Sequence, residues 1–74
     1  MNKKEIESRL VHRFLAAMRN IEMYSRLMKE EPEKRVWQEF WIEHLTRREA
    51  ASEELIEFFR YTENQIFSLF MQDV

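Results

Sequence analysis

Two long stretches of the chain place apolar residues at helical spacing, and they predict two amphipathic helices. The first covers residues 3–30, where the spacings alternate between four and three as in a coiled-coil seam. Asn2, with Glu5 three residues later, is its predicted N-cap. Its seam consists of Ile6, Leu10, Phe14, Ala17, Ile21, Tyr24 and Met28. The second covers residues 33–61, and its stripe consists of Trp37, Phe40, Trp41, Ala51, Leu55, Phe58 and Phe59. Two polar residues, His44 and Arg48, fall in the middle of that stripe.

A turn at residues 31–33 separates the two predicted helices. Pro32 cannot donate a backbone hydrogen bond, and it disfavours helix for Glu31. A connection this short predicts an antiparallel hairpin. With the turn centred between Pro32 and Glu33, every seam residue meets a stripe residue. The expected pairs are Met28–Trp37, Tyr24–Trp41, Ile21–His44, Ala17–Arg48, Phe14–Ala51, Leu10–Leu55 and Ile6–Phe59.

The segment Tyr61–Val74 extends beyond the hairpin and carries five large apolar residues. Thr62 and Gln65 have the spacing of a capping box, which predicts a short third helix over residues 63–72. The alternative is that helix two continues and packs on another chain. Both geometries place apolar surface at an interface, so this segment is the expected association element. The interface candidates are Ile66, Phe67, Leu69, Phe70 and Met71, together with Ile56 and Met23 outside the segment.

Composition supports a single all-α domain over residues 1–74. The chain has no Gly, one Pro and no Cys, which favours helix and removes disulfides as a source of stability. Met1–Leu10 is charged and no long apolar run follows it, so we expect no secretory signal and no membrane span. These features predict a cytoplasmic protein. Residues 1–31 carry a net charge of +2 and residues 33–74 carry −4, so we expect the halves to attract each other. We expect no nucleic-acid binding, which would need a strong basic patch.

The polar residues of the seam admit two interpretations. In the first, His44, Arg48 and Glu22 are buried polar side chains that fix the register and the choice of partner. In the second, His44 and Glu22 bind a metal together with Glu43 or Glu49. The helix pair Ala16–Tyr24 and Phe40–Leu55 distantly resembles the carboxylate-bearing helices of ferritin-like proteins. The positions three after Glu43 and Glu49 are Thr46 and Ser52, so the histidine of the E-x-x-H motif is missing.

These patterns predict a small interaction module without enzymatic activity, a cofactor or a bound metal. We expect it to act as a regulator, inhibitor or adaptor by binding another protein, and to self-associate, with a dimer favoured. The alternatives are a ferritin-like carboxylate/His metal-binding bundle and an RNA-binding four-helix dimer.

Overall fold

The described part of the chain forms three helices, and the first two pack along their length as an antiparallel hairpin. The computed structural model describes residues 2–71, in which α1 spans Lys3–Glu30, α2 spans Val36–Phe59 and α3 spans Glu63–Met71. The predicted all-α hairpin with a short third helix is therefore confirmed. The predicted final residue of the third helix, Gln72, lies outside the described residues.

The first helix runs the whole length of the molecule. A helix of 28 residues is about 42 Å long, and the longest dimension of the fold is 44 Å. Asn2 caps its start, as predicted, because its side-chain oxygen accepts the Glu5 backbone N–H at 2.9 Å. The Asn2 side-chain amide in turn donates to the Glu5 carboxylate at 3.5 Å.

The turn occupies more residues than predicted, and α2 begins at Val36 instead of near residue 33. The Lys34 N–H donates to the Glu31 carbonyl at 3.1 Å, which closes a tight turn with Pro32 at its second position. The Glu31 carboxylate also pairs with Lys34 at 3.0 Å and accepts the Trp37 indole N–H at 3.0 Å. The bond to Lys34, and to a lesser extent the bond to Trp37, lowers the pKa of Glu31. The Glu31 side chain therefore anchors the start of α2.

The second helix ends at Phe59 because Arg60 adopts the left-handed conformation, with φ 56° and ψ 36°. The Arg60 and Tyr61 N–H groups both bond to the Leu55 carbonyl, so the helix is closed by a reversal of the chain. The predicted capping box then starts α3. Gln65 N–H donates to the Thr62 hydroxyl at 3.2 Å, and Thr62 N–H donates to the Gln65 side chain at 2.8 Å. The alternative of one continuous helix is therefore wrong.

The core lies at the end of the hairpin away from the turn, where α3 covers it. Its buried cluster consists of Leu10, Phe14, Ala51, Leu55 and Leu69. Phe14 and Leu55 are fully buried. Two expected facing pairs, Phe14–Ala51 and Leu10–Leu55, thus fall inside one cluster. Phe14 also meets Phe70 edge to face, with ring centroids 5.2 Å apart.

Near the turn, the observed ring contacts differ from the expected pairs. Tyr24 was expected opposite Trp41, but its ring stacks on Phe40 at 5.4 Å and on His44 at 5.5 Å. It also stacks on Trp37 at 6.0 Å. Positions 37, 40 and 44 follow one another at helical spacing on a single face, whereas position 41 is turned 100° from position 40. Trp41 therefore lies on the flank of that face, where it is only partly buried.

Candidate interaction surfaces

The third helix has one side that packs on the hairpin and one side that does not. Leu69 is buried at 6% exposure, and Ile66 and Phe70 pack against the same core cluster. All three were predicted to lie at an interface, and this prediction is corrected because they pack on the hairpin and stabilise the chain's own fold. Phe67 and Met71, one turn apart, are 64% and 57% exposed. We call this pair the outer α3 surface.

Contacts beyond the core also fix the position of α3. The Arg48 guanidinium lies over the Phe70 ring, 4.9 Å from its centroid. Before α3 begins, the Tyr61 hydroxyl donates to the Glu7 carboxylate of α1 at 2.7 Å. The pKa of Tyr61 is raised to about 12, mainly by burial of the phenol and also by its hydrogen bond to Glu7. Both ends of α3 are therefore tied to the hairpin, and the outer α3 surface is presented in a fixed direction.

A second apolar surface lies on the side of the hairpin that α3 does not cover. A groove of about 410 Å³ runs between α1 and α2, lined by Leu10, Arg13, Ala16, Ala17, Arg47, Ala50, Ala51 and Glu54. A neighbouring groove shares Leu10 and Glu54 with it and continues to Ile6 and Phe58. Neither groove is lined by a described residue of α3. We call this surface the open face.

Large apolar residues at both ends of the open face are exposed. Phe58 is 62% exposed, and Ile6, Phe40 and Val36 are also exposed. Phe40 lies seven residues before Arg47, and Val36 lies one turn before Phe40, which places both on the same face of α2 as the groove. The prediction that Ile6 and Phe58 are inward residues of the hairpin is wrong, because both are exposed. Phe40 contacts Tyr24 of α1 as an inward residue should, but it is still 37% exposed. Ile6 does line a groove together with Phe59, its expected partner, but nothing described covers it.

The sequence contains a signal for this surface that the spacing of apolar residues alone does not reveal. Phe40 and Phe58 are 18 residues apart, which is five full helical turns, so they point in the same direction. That direction differs by about 40° from the mean direction of His44, Ala51 and Leu55. The apolar stripe of α2 is therefore wider than α1 alone can cover. Counting the width of the stripe, and not only its spacing, would have predicted an uncovered edge.

The remaining interface candidates are also at the surface. Ile56 and Met23 are both exposed, as expected. Met23 lies seven residues after Ala16 and so falls on the α1 edge of the open face. Ile56 lies on α2 two residues before Phe58 and points away from the open face. An isolated exposed Ile of this kind is common on protein surfaces.

The three buried polar candidates have different fates. His44 is buried at 8% exposure, and Arg48 is partly buried against Phe70. Glu22 is exposed, so its assignment as a buried residue is corrected. Position 22 lies about 100° from the seam residue at position 21, which directs its side chain away from α2.

The side chains of the metal-site alternative are not brought together. His44 stacks on Tyr24 within the hairpin, whereas Glu22 is at the surface. Glu43 forms an ion pair with Arg47 at 2.6 Å. Among residues 2–71, no group of three or more His, Asp or Glu side chains is arranged to hold a metal ion.

Comparisons with known proteins add no assignment. No family model matches the chain, and no curated protein or solved structure matches it significantly. None of the helices described here is long and apolar enough to cross a membrane.

Proposed function

We propose that the protein is a small interaction module that binds another protein through the outer α3 surface. It acts as a regulator, inhibitor or adaptor and carries out no reaction itself. The observation that supports this is the exposure of Phe67 and Met71 on a helix whose opposite side is used to stabilise the fold. Exposed apolar groups of this kind usually mark protein interfaces.

The arrangement of α3 fits a recurring mode of recognition. Helices that dock in a groove of a partner present apolar anchors at positions i and i+4, which is the spacing of Phe67 and Met71. Because α3 is capped at Thr62 and held by Leu69, these anchors are ordered before the partner binds. Pre-ordering lowers the entropic cost of association. The absence of Cys fits action in the cytoplasm, where thiols stay reduced.

Affinity purification with matched variants tests the proposal. The tagged full chain, a Phe67→Ser/Met71→Ser variant and an Ile42→Ser control are each purified from cells of the source organism. Ile42 is a suitable control because it is 50% exposed on α2 and lies on neither named surface. We expect one protein to co-purify with the wild type and the control. Loss of two anchors should weaken its binding about thirtyfold in the double variant.

Two other results would overturn the proposal. One is the absence of any co-purified protein, or equal retention of a protein by all three chains. The other is a wild-type preparation that carries stoichiometric metal or RNA, which would favour the metal-binding or RNA-binding alternative.

A further inference from the structure

The open face combines uncovered apolar residues with an unequal distribution of charge on its two edges. Its apolar residues include Ile6 on α1 and Phe58 on α2, which line one groove and remain exposed. Small residues such as Ala16 and Ala50 lie between its two ends, so a second layer of helices can approach closely. No contact within residues 2–71 accounts for the apolar character of this surface.

The edge formed by α1 is basic and the edge formed by α2 is acidic. Arg13 and Glu54 line opposite sides of the groove. Arg9 lies one turn from Arg13, and Glu57 lies one turn from Glu54. Within the described part of the chain, none of these four residues takes part in an ion pair. Arg47, also on the α2 edge, is already paired with Glu43.

We propose that the open face binds a second copy of this chain, related by a two-fold axis that runs parallel to the helices. In this arrangement α1 of each copy packs on α2 of the other, and each of the four helices is antiparallel to both of its neighbours. The charge distribution selects the arrangement, because the rotation places the basic edge of one copy against the acidic edge of the other. An isologous contact of this kind makes every favourable pair twice.

The same rotation repeats the pairing of the hairpin between the two copies. A two-fold axis parallel to the helices leaves every residue at its own height along the bundle. Residues level with each other within one chain are therefore also level across the interface. Ile6 then faces the partner's Phe58, and Arg9 faces the partner's Glu54. The other face-to-face arrangement, with the axis perpendicular to the helices, packs α1 on α1 and places Arg9 among residues of the same basic helix.

The chemistry of the open face argues against other occupants. A nucleic acid requires a continuous basic surface, and here the α2 edge carries Glu54 and Glu57. A membrane surface with anionic lipids would meet the same repulsion. A surface that is basic on one edge and acidic on the other is complementary to its own copy turned by a half rotation.

The mass of the full chain in solution tests the association. Sedimentation equilibrium of the wild type should give a dimer of the 9.3 kDa chain, and Phe58→Ser should shift it to monomer. Phe58 is 62% exposed, so its replacement leaves the hairpin core intact. Phe67→Ser should remain dimeric, which separates this proposal from partner binding by the outer α3 surface. A wild type that stays monomeric at high protein concentration, or a Phe58→Ser variant that stays dimeric, would overturn the proposal.

Single cysteines test the arrangement, since the natural chain has none. An Arg9→Cys chain mixed with a Glu54→Cys chain should form a disulfide-linked heterodimer under mild oxidation, and no such link can form within one chain. Arg9→Glu alone should weaken the dimer about tenfold through two repulsive contacts, and adding Glu54→Arg should restore it. The proposed axis would be contradicted if Arg9→Cys chains crosslinked only to each other. It would also be contradicted if the paired charge reversal did not restore the dimer.

Discussion

Shortening Leu69 to Ala tests whether α3 is held to the hairpin by the side that the structure buries. Leu69 is 6% exposed and belongs to the core cluster with Leu10, Phe14 and Leu55. Full burial of a Leu side chain is worth about 1.5–3 kcal/mol, and the cavity left by Leu→Ala raises the typical loss to about 2–5 kcal/mol. Because Leu69 packs from one side of a short helix, the surrounding residues can relax. We therefore expect a loss of about 2–3 kcal/mol.

The docking free energy of α3 limits this loss. Once α3 has detached from the hairpin, weaker contacts between the two no longer lower the free energy of unfolding. Nine residues are too few to form a stable helix alone, so a detached α3 also unfolds. For a chain of 74 residues, a total stability of about 4–11 kcal/mol is usual. A loss of 2–3 kcal/mol should lower the Tm by about 10–20 °C.

Urea unfolding followed by circular dichroism measures the effect, and Phe67→Ala on the same helix is the matched control. Phe67 is 64% exposed, so its replacement should change the free energy of unfolding by less than about 0.5 kcal/mol. Both variants are measured at two protein concentrations to separate folding from association. Hydrogen exchange should show faster exchange of the α3 amides in Leu69→Ala. Equal losses in the two variants, or a larger loss for Phe67→Ala, would refute the orientation of α3.

Three further predictions concern the connection to α3 and its anchors. Arg60→Gly should stabilise the fold by about 0.5–1 kcal/mol in thermal unfolding, because the left-handed conformation at φ 56° is unfavourable for a residue with a Cβ; a destabilised variant would contradict this. Since its folded-state pKa of about 12 lies above the usual value of 10, Tyr61 contributes stability that is fully present below pH 10 and is lost as the pH rises through 12. Tyr61→Phe should therefore remove this alkaline loss in a pH series of urea melts, and an unchanged pH dependence would refute the assignment. Arg48→Met keeps an unbranched apolar side chain, although a shorter one, and removes the charge over Phe70, so it should cost about 0.5–1 kcal/mol; the same change at the exposed residue Arg26 serves as the control.

The local signals of the sequence predicted the elements well. Asn2 and Thr62 were both identified as helix caps from the residue three positions later, since a capping box is a short-range interaction. The hairpin followed from the position of Pro32 and the matching apolar spacing on its two sides. The start of α2 was placed too early because the turn is closed by a bond from Lys34 to Glu31, and single residues do not reveal such a bond.

The candidate surfaces were predicted less well, because they depend on how much of each stripe a neighbouring helix covers. Spacing alone assigned Phe58 to the core and Leu69 to an interface, and the structure reverses both assignments. The reversal at Arg60 decides this outcome, since it directs α3 to one side of the hairpin and leaves the other side open. Gly is the usual residue at the left-handed position that ends a helix. An Arg in that conformation therefore has no clear signature in the sequence.

A photo-crosslinking aromatic residue in place of Phe67 tests most directly whether the outer α3 surface binds another protein. In cells of the source organism, irradiation of this full-length variant should join the chain to one different protein, identified by mass spectrometry. The same residue in place of Ile42 should give no such product. A chain that remains uncrosslinked at position 67, or crosslinks equally at both positions, would contradict the proposal that this surface carries the function.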